Sequence, residues 1–483
     1  PPSYAYPTPT DSLLSQQISE LTATHTNLSG FHPLHEGINA FDARIKLINS
    51  ATKSIDAQYY IWHNDVSGKV LLHALLSAAD RGVRVRLLLD DLDAITNQIL
   101  LSEIDAHSNI HLRLFNPIAN RTNPIFSTIT DAHRINRRMH NKSLTMDNLV
   151  SIFGGRNIGD EYFEISKDIG FSDIDIVTIG PVVNEVSKQF DLYWNSAWAY
   201  PLSAITKPLN LDDVHMNDFR LKFNLEVKQA AETQSAYLSA IKELRHSQVD
   251  SISEINFVWS KWNFIYDLPE KIKSTSMQAA THLAPKLKEA LDKAQSELII
   301  ISPYFVPGAN FTQYLIGLEK KGVNVLILTN SFGSNDVSIV HAGYQRYRET
   351  LLKGGVDIYE YKSNNTKPKA FGSSNSGLHA KAISIDKQYL FIGSFNFDPR
   401  SVLLNLELGV LFKSEKEANL LSDNFKNKVL QKSYKVLLTA DNSLQWLTIE
   451  NGQRKTYDIE PRTSHWDRLK IKIMSIFAPE KQL

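Results

Sequence analysis

The alternation of apolar and polar positions indicates strands and helices that follow one another along most of the chain. Short apolar runs occur in ATKSIDAQYYIW (51–62) and RGVRVRLLLDD (81–91). Between them leucines recur at the spacing of an amphipathic helix, at Leu71, Leu72, Leu75 and Leu76. Strands that alternate with helices predict βαβ units and a parallel-rich sheet, so the predicted fold class is α/β.

The same pattern returns in the second half of the chain. AQSELIIISPYFVP (294–307) repeats the first apolar run, and KGVNVLILTNS (321–331) repeats the second. Each half reads as strand, helix, strand, variable loop and two further strands. The sequence therefore predicts two similar halves, at 31–200 and 291–440.

Three segments lie outside this repeat. Residues 1–30 are rich in Pro, Ser and Thr and are predicted to form an extended arm, 201–290 form a helical or irregular insert, and 441–483 form a C-terminal extension. Within the insert, the aromatic-rich stretch 257–268 is predicted to be a buried strand or, alternatively, a lipid-facing wall. DLPEKIKSTS (267–276) is predicted to be a loop.

One motif, His-x-Lys-x4-Asp, occurs once in each half. Its residues are His140, Lys142 and Asp147 in the first half, and His379, Lys381 and Asp386 in the second. A glycine-rich strand end with an asparagine follows each copy, at Asn157 and Asn396. On a strand, the His and Lys of one copy share a face. Two imidazoles and two ammonium groups brought together disfavour a cation and suit a phosphodiester.

These motifs resemble those of the phospholipase D superfamily. The segments 137–163, 171–183, 335–361 and 392–409 are similar to its bacterial cardiolipin synthase C subgroup, and the similarity extends from about residue 30 to 430. The resemblance implies two α-β-α lobes packed side by side, with the active site at the lobe interface. It also implies phospholipid substrates.

For this subgroup the implied reaction is phosphatidyl transfer to phosphatidylglycerol. The donor is phosphatidylethanolamine or phosphatidylglycerol, and the intermediate is a phosphatidyl-histidine. By resemblance His140 is the nucleophile, and His379 is the general acid and then the general base. Lys142, Lys381, Asn157 and Asn396 are expected to hold phosphoryl oxygens, with Ser394 as a further candidate. A phospholipase D hydrolase, a metal-independent nuclease and an inactive lipid-binding scaffold remain as alternatives.

Several carboxylates and arginines are candidates for supporting roles. A nucleophilic histidine needs a carboxylate to fix its tautomer, and by resemblance Glu407 and Asp173 serve this role, with Asp175 as the rival of Asp173. The motif residues Asp147 and Asp386 are expected to brace the site. Arg134, Arg137 and Arg138 form either a solvated charged face or a dock for an anionic headgroup, with Arg138 as the candidate substrate contact.

Two isolated histidines, His63 and His341, are expected to be structural residues or to line the cleft. No metal and no cofactor are expected, because the sequence has no His/Cys/carboxylate cluster at zinc spacing, no P-loop and no dinucleotide fingerprint. The absence of cysteine excludes disulfides and thiol catalysis. Lys+Arg and Asp+Glu are 52 each, which argues against a general nucleic-acid binder.

The resemblance implies the bacterial inner membrane as the setting. No apolar stretch is long enough for a transmembrane helix, so a peripheral or lipid-anchored protein is expected. The start at Pro1 suggests removal of a signal peptide or lipidated segment. Residues 464–483 form either an amphipathic helix on an anionic membrane surface or a helix packed on its own domain. A helper protein is a further expected partner.

Overall fold

The chain forms two compact units, and each contains a short segment from the other half of the sequence. The computed structural model describes residues 2–121, 131–163, 173–206, 213–233, 252–335, 337–362 and 377–477. The first unit comprises Pro1–Ser166, Ile174–Lys273 and Asn405–Leu408, and the second comprises Lys167–Asp173, Ser274–Leu404 and Gly409–Leu483. The exchanged segments carry two candidate site residues, Glu407 and Asp173.

The first unit contains helices and strands in alternation. Its described helices are α1 (Leu13–Thr22), α2 (Gly37–Ser50), α3 (Val66–Asp80), α4 (Asp91–Ala94), α5 (Gln98–Asp105), α6 (Ala132–Ile135), α7 (Val182–Trp194) and α8 (Asp213–Thr233). Its described strands are β1 (Ser29–Leu34), β2 (Ser54–Tyr59), β3 (Arg84–Asp90), β4 (Ile110–Phe115), β5 (Ser143–Met146), β6 (Val150–Gly154), β7 (Asp175–Ile179), β8 (Ala199–Pro201), β9 (Val258–Ser260) and β10 (Trp262–Tyr266).

The second unit repeats this alternation. Its described helices are α9 (Leu283–Leu291), α10 (Gly308–Lys320), α11 (Ser338–Lys353), α12 (Pro399–Leu403), α13 (Glu415–Asn427), α14 (Val429–Lys432) and α15 (His465–Phe477). Its described strands are β11 (Glu297–Ile301), β12 (Asn324–Asn330), β13 (Asp357–Tyr361), β14 (Ala382–Ile385), β15 (Tyr389–Gly393), β16 (Leu408–Lys413), β17 (Ser433–Leu438), β18 (Leu444–Glu450) and β19 (Gln453–Tyr457).

The two sheets share one strand order. In the first unit the order is β8-β4-β3-β2-β5-β6-β7-β1-β9, and β2, β3 and β4 are parallel neighbours. In the second unit it includes β16-β15-β14-β11-β12-β13-β17-β18-β19, and β11, β12 and β13 are parallel neighbours. The run β4-β3-β2-β5-β6-β7 thus matches β13-β12-β11-β14-β15-β16. The predicted α/β class with two similar lobes is confirmed.

A tight hairpin turn explains the spacing of each motif. The four residues between Lys142 and Asp147 are the whole of β5, and the four between Lys381 and Asp386 are the whole of β14. Each aspartate then has a positive φ of 53° at the start of a two-residue turn. Asp tolerates this left-handed conformation, and such turns match the twist of paired strands. The x4 spacing is therefore one short strand followed by its turn.

Three local predictions differ from the structure. The arm is not extended throughout, because Ser12 and Ser15 cap the first turn of α1, whose Leu14 and Ile18 are buried. The His and Lys of each motif precede β5 and β14 instead of lying within them. The loop predicted at 267–276 contains a 3₁₀ helix at Pro269–Lys273.

The structure describes only part of the predicted insert. Its helical pattern is observed in α8, whereas residues 234–251 lie outside the described ranges. The aromatic-rich stretch forms β9 and β10, and Phe264 and Ile265 are buried. Those two side chains therefore favour the buried-strand interpretation.

A buried ion network connects α11 of the second unit to Glu460 in its C-terminal extension. Arg348 lies 3.0 Å from Glu360 and 3.3 Å from Glu460, and His341 Nε2 lies 2.7 Å from Glu460. Burial alone would raise the pKa of Glu460, but the charges of Arg348 and His341 lower it to about 2. His341 therefore has a structural role in this network.

We expect Glu460→Gln to destabilise the second unit in a pH-dependent way. A carboxylate with a depressed pKa stabilises the fold above its unfolded pKa of 4.5 and loses that effect as the pH falls toward 2. The variant should lose roughly 3 kcal/mol of unfolding free energy at pH 7 in urea denaturation, and the difference should narrow below pH 4.5. Glu450→Gln, which alters an exposed ion pair, is the control and should cost about 1 kcal/mol or less. A pH-independent loss for Glu460→Gln would contradict the electrostatic account.

Candidate active site

The first histidine centre lies in the first unit. His140 Nδ1 donates a hydrogen bond of 2.9 Å to Glu407 Oε2, and both side chains are almost fully buried. The backbone aligns this pair, because His140 N donates to Leu406 O and Leu406 N donates to Arg138 O, each at 2.9 Å. Since a carboxylate only accepts, the neutral imidazole carries its proton on Nδ1 and its lone pair on Nε2. A nucleophile or general base needs this tautomer.

The second histidine centre, in the second unit, has the same construction. His379 Nδ1 donates to Asp173 Oδ2 at 2.6 Å, and Asp173 is buried. In both centres the carboxylate comes from the exchanged segment of the other half of the sequence. The structure thus pairs each motif histidine with a carboxylate that the sequence places after the other motif.

The motif lysines adopt the same conformation in both units. Lys142 Nζ donates to His140 O, and Lys381 Nζ donates to His379 O, each at 2.5 Å. Both lysines are almost fully buried. Each ammonium is therefore fixed beside its histidine, where it supplies a positive charge close to the imidazole.

The motif aspartates brace the backbone away from the imidazoles. Asp147 accepts hydrogen bonds from the backbone N–H groups of Thr52, Lys53 and Ser54 at 2.7–2.8 Å. Asp386 accepts from Gln295, Ser296 and Glu297 at 2.7–3.0 Å. Burial alone would raise the pKa of Asp386, but these backbone donors lower it. Each aspartate ties its hairpin to the segment that enters the adjacent antiparallel strand, which is β2 for Asp147 and β11 for Asp386.

The remaining phosphate-contact candidates are buried. Asn157 Oδ1 accepts from Ile61 N at 3.3 Å. Asn396 N donates to Ser401 Oγ at 3.3 Å, while Asn396 Oδ1 is buried without a hydrogen-bond partner. Ser394 is fully buried at the end of β15. Their contact with a phosphate stays a prediction.

The insert holds Glu407 in place. Asp267 Oδ2 accepts from Glu407 N at 2.8 Å, and Asp267 N donates to Glu407 O at 2.9 Å. Lys271 Nζ lies 2.9 Å from the same Asp267 oxygen, and both side chains are fully buried. Tyr193 Oη donates to Asp267 O at 2.7 Å, and burial raises the pKa of this phenol well above its usual value, so it remains a donor. Asp267 therefore fixes the backbone of the carboxylate that orients His140.

The chain is similar to known proteins along most of its length. The family model described as "Cardiolipin synthase, PLD-like domain" matches residues 45–194 and 287–429. Cardiolipin synthase C of Escherichia coli (strain K12) is 37% identical over 473 residues, covering 97% of this chain and 99% of that protein. The chain belongs to the phospholipase D-like cardiolipin synthase family.

Two more distant similarities also span most of the chain. The major cardiolipin synthase of Bacillus subtilis (strain 168) is 26% identical over 84% of this chain and 70% of its own length. The crystal structure of phosphatidylserine synthase from Haemophilus influenzae Rd KW20 has a TM-score of 0.60 and 14% identity, and the match covers 97% and 100% of the two chains. That structure supports the phospholipase D-like fold alone.

Sequence reasoning did not identify three residues that border or support the candidate site. Asp267 and Lys271 lie in the insert, where the sequence carries no recognisable motif. The Tyr60 ring lies edge-on to His140 at 5.0 Å, and Lys142 Nζ lies 5.3 Å from the centre of the same ring. The QYYIW sequence signalled a strand, but it did not distinguish the residue that borders His140.

The remaining carboxylate and arginine candidates form ion pairs or hydrogen bonds with neighbouring residues of the fold. Asp175, the rival of Asp173, lies 2.7 Å from Arg44. Arg138 lies 3.1 Å from Asp90 and donates to Asn116 O, which favours a structural role over contact with a headgroup. Arg134 and Arg137 contact Asp131 and His133 respectively, so they do not form a simply solvated face.

A separate group surrounds His63. Its potential ligand atoms and those of Asp65 and Glu161 lie within 4.8 Å of one another, the sole grouping of this kind among the described residues. Burial raises the pKa of both carboxyl groups, and Asp65 accepts from Gly68 N as the N-cap of α3. Asp65 is occupied as a helix cap, and the partly exposed His63 lies 3.4 Å from Glu161. These two interactions account for the proximity of the three side chains.

We expect Lys271→Met to destabilise the protein much more than Lys288→Met does. Both lysines form an i,i+4 pair with an aspartate at 2.8–2.9 Å, but the Lys271 pair is fully buried whereas Lys288 and Asp292 are 54% and 46% exposed. Removing one partner of a buried pair costs about 3–5 kcal/mol, and removing an exposed pair costs about 1 kcal/mol or less. Urea denaturation checks the difference. Equal losses would show that Lys271 does not stabilise the buried Asp267 charge.

Proposed function

We propose that this protein is a cardiolipin synthase that transfers a phosphatidyl group to phosphatidylglycerol. The observation that carries the proposal is the pair of His-Lys centres, each with a buried carboxylate on the imidazole Nδ1, in a chain of the cardiolipin synthase family. The phosphatidyl donor is phosphatidylethanolamine or phosphatidylglycerol. The two centres serve one reaction in two steps.

In the first step His140 acts as the nucleophile. Its Nε2 lone pair attacks the donor phosphorus, a P–N bond forms, and the P–O bond to the headgroup breaks. The departing oxygen takes a proton from protonated His379, so ethanolamine or glycerol leaves as a neutral alcohol group. Glu407 accepts the Nδ1 hydrogen bond throughout and stabilises the positive charge that forms on His140.

In the second step the acceptor lipid releases the intermediate. Neutral His379 removes the proton from a hydroxyl of phosphatidylglycerol, whose oxygen attacks phosphorus. The P–N bond breaks, cardiolipin leaves, and both histidines return to their starting protonation states. Asp173 supports His379 in the same way that Glu407 supports His140.

During each step, cationic and polar side chains stabilise the negative charge on the phosphoryl oxygens. Lys142 and Lys381 supply positive charge beside each histidine, and Asn157, Asn396 and Ser394 are the proposed further donors. These roles follow from the family resemblance. The assignment of His140 as the first nucleophile rests on the same resemblance, since the two centres are built alike.

Two alternatives differ in the acceptor or the substrate. A phospholipase D hydrolase uses the same residues with water in place of phosphatidylglycerol. A metal-independent nuclease uses a nucleic-acid phosphodiester, which the balanced charge of the chain disfavours. An inactive lipid-binding scaffold would not need the buried carboxylate on both imidazoles.

Lipid substrates make a membrane surface the working environment. None of the helices that the structure describes has the length and apolar character needed to cross a bilayer. We propose peripheral or lipid-anchored attachment to the bacterial inner membrane. A helper protein remains part of the proposal.

The test is a product assay with liposomes that contain phosphatidylglycerol and phosphatidylethanolamine, in the presence of EDTA. Mass spectrometry should detect cardiolipin from the wild type, and omitting each lipid in turn identifies the donor. His140→Ala and His379→Ala should each lower the rate by about 10³-fold or more. His107→Ala, which removes a histidine bonded to Asp80 elsewhere in the fold, should leave the rate unchanged.

The other outcomes separate the alternatives. Phosphatidic acid without cardiolipin would establish the hydrolase. Activity that EDTA abolishes would contradict a mechanism based on side chains alone. No lipid product, together with cleavage of single-stranded DNA or RNA, would favour the nuclease.

A further inference from the structure

The C-terminal helix α15 is attached to the second unit by one face. Ile471 on that face is 1% exposed, and Arg346 of α11 donates to Ser475 O at 2.5 Å. The helix start is fixed by a reciprocal cap, in which Ser464 Oγ accepts from Asp467 N and Asp467 Oδ2 accepts from Ser464 N. The helix is therefore an ordered part of this unit.

The opposite face of α15 exposes a row of large apolar side chains. Trp466 is 73% exposed, Leu469 48% and Ile473 49%. These positions and Lys470 fall within about 100° of the helix circumference, away from Ile471 and Ser475. The side chains of Lys472, Ile476 and Phe477 lie outside the described set. We call this row of Trp466, Leu469 and Ile473 the apolar stripe.

The segment that carries the apolar stripe is positively charged. Residues 462–473 contain Arg462, Arg468, Lys470 and Lys472 against the single acid Asp467, a net charge of +3 (four minus one), whereas the whole chain has a formal charge of zero. Lys470 is exposed and borders the stripe. Apolar side chains bordered by cations match the boundary of an anionic bilayer, where acyl chains lie below phosphate groups.

We propose that the apolar stripe of α15 docks the second unit onto an anionic phospholipid surface. The inference rests on the proposed function for its substrate class, since phosphatidylglycerol is both the acceptor and an anionic lipid. The helix lies in the plane of the interface, with Trp466, Leu469 and Ile473 among the upper acyl chains and Lys470 at the phosphates. Trp is well suited to this boundary because its ring is apolar and its N–H is polar.

A lipid surface fits the stripe better than a second copy of the chain does. Stable protein interfaces bury about 800 Å² on each partner and need a complementary apolar patch. Three partly exposed side chains in a single row form a narrow surface, and the cations beside it would repel the same segment of a second copy. A bilayer requires no complementary shape.

The test is flotation of the full chain with vesicles. Wild type should float with vesicles containing phosphatidylglycerol, and it should bind pure phosphatidylcholine vesicles and high-salt samples much more weakly. Trp466→Glu and Ile473→Glu should each reduce the bound fraction about tenfold or more. Ile99→Glu, at a 74% exposed residue of α5, is the matched control and should bind like wild type.

A charge-reversal substitution tests the electrostatic contribution to vesicle binding. Lys470→Glu should weaken binding to phosphatidylglycerol vesicles about fivefold or more, whereas Lys416→Glu on the exposed face of α13 should have little effect. Thermal unfolding should be the same for all of these variants, because each replaced side chain is exposed. Equal flotation of wild type and the stripe variants would overturn the proposal. If light scattering shows that wild type is a dimer and the stripe variants are monomers that still float, the stripe binds a second copy of the chain and the proposal is wrong.

Transfer measured in two lipid forms separates this inference from the proposed function. The stripe variants should lose transfer on vesicles but keep it on lipids dispersed in detergent micelles. Flotation without any transfer activity would leave the docking surface intact and contradict the cardiolipin synthase function. Stripe variants that still float and still transfer on vesicles would show that this surface is not the docking site.

Discussion

The hydrogen bond between a buried carboxylate and a histidine Nδ1 is the interaction on which the site depends. In water an imidazole exchanges between two tautomers and rotates, whereas Glu407 and Asp173 fix both properties for His140 and His379. A carboxylate without water is costly to bury, so it requires a fixed donor. The folds of both units meet that requirement through backbone pairing and short hairpins. The geometry of the candidate site is therefore set by the fold of each unit, because backbone contacts hold the histidine and its carboxylate together.

Each histidine–carboxylate pair joins residues from the two halves of the sequence. Each compact unit is completed by a carboxylate that lies after the other motif along the chain. Neither half of the sequence alone contains a complete histidine–carboxylate pair. Both centres therefore require both halves of the sequence. Asp267 and Lys271 add a further layer at the first centre by holding the backbone of Glu407.

The sequence predicted most of the fold because the repeated periodicity is local information. The leucines of α3, the motif strands and the duplicated order all follow from spacing, and the x4 interval of each motif corresponds to one strand and its turn. The pairing of His140 with Glu407 and of His379 with Asp173 could not be read in this way, because residues 267 and 206 positions apart leave no periodic trace. Tyr60 and Asp267 were missed for the same reason. The helix α1 was missed because prolines and serines in the arm obscured a capping box.

The most direct test of the pairing of Glu407 with His140 and of Asp173 with His379 compares two phosphatidyl donors that differ in their leaving group. A phosphatidyl donor with a nitrophenol headgroup needs no general acid, whereas phosphatidylethanolamine does. First-turnover release of each headgroup is measured for His140→Ala, His379→Ala, Glu407→Gln and Asp173→Asn, with thermal unfolding as the folding control. The account predicts that Glu407→Gln shows the leaving-group dependence of His140→Ala and that Asp173→Asn shows that of His379→Ala. The reverse correspondence, with Glu407→Gln behaving like His379→Ala, would contradict it.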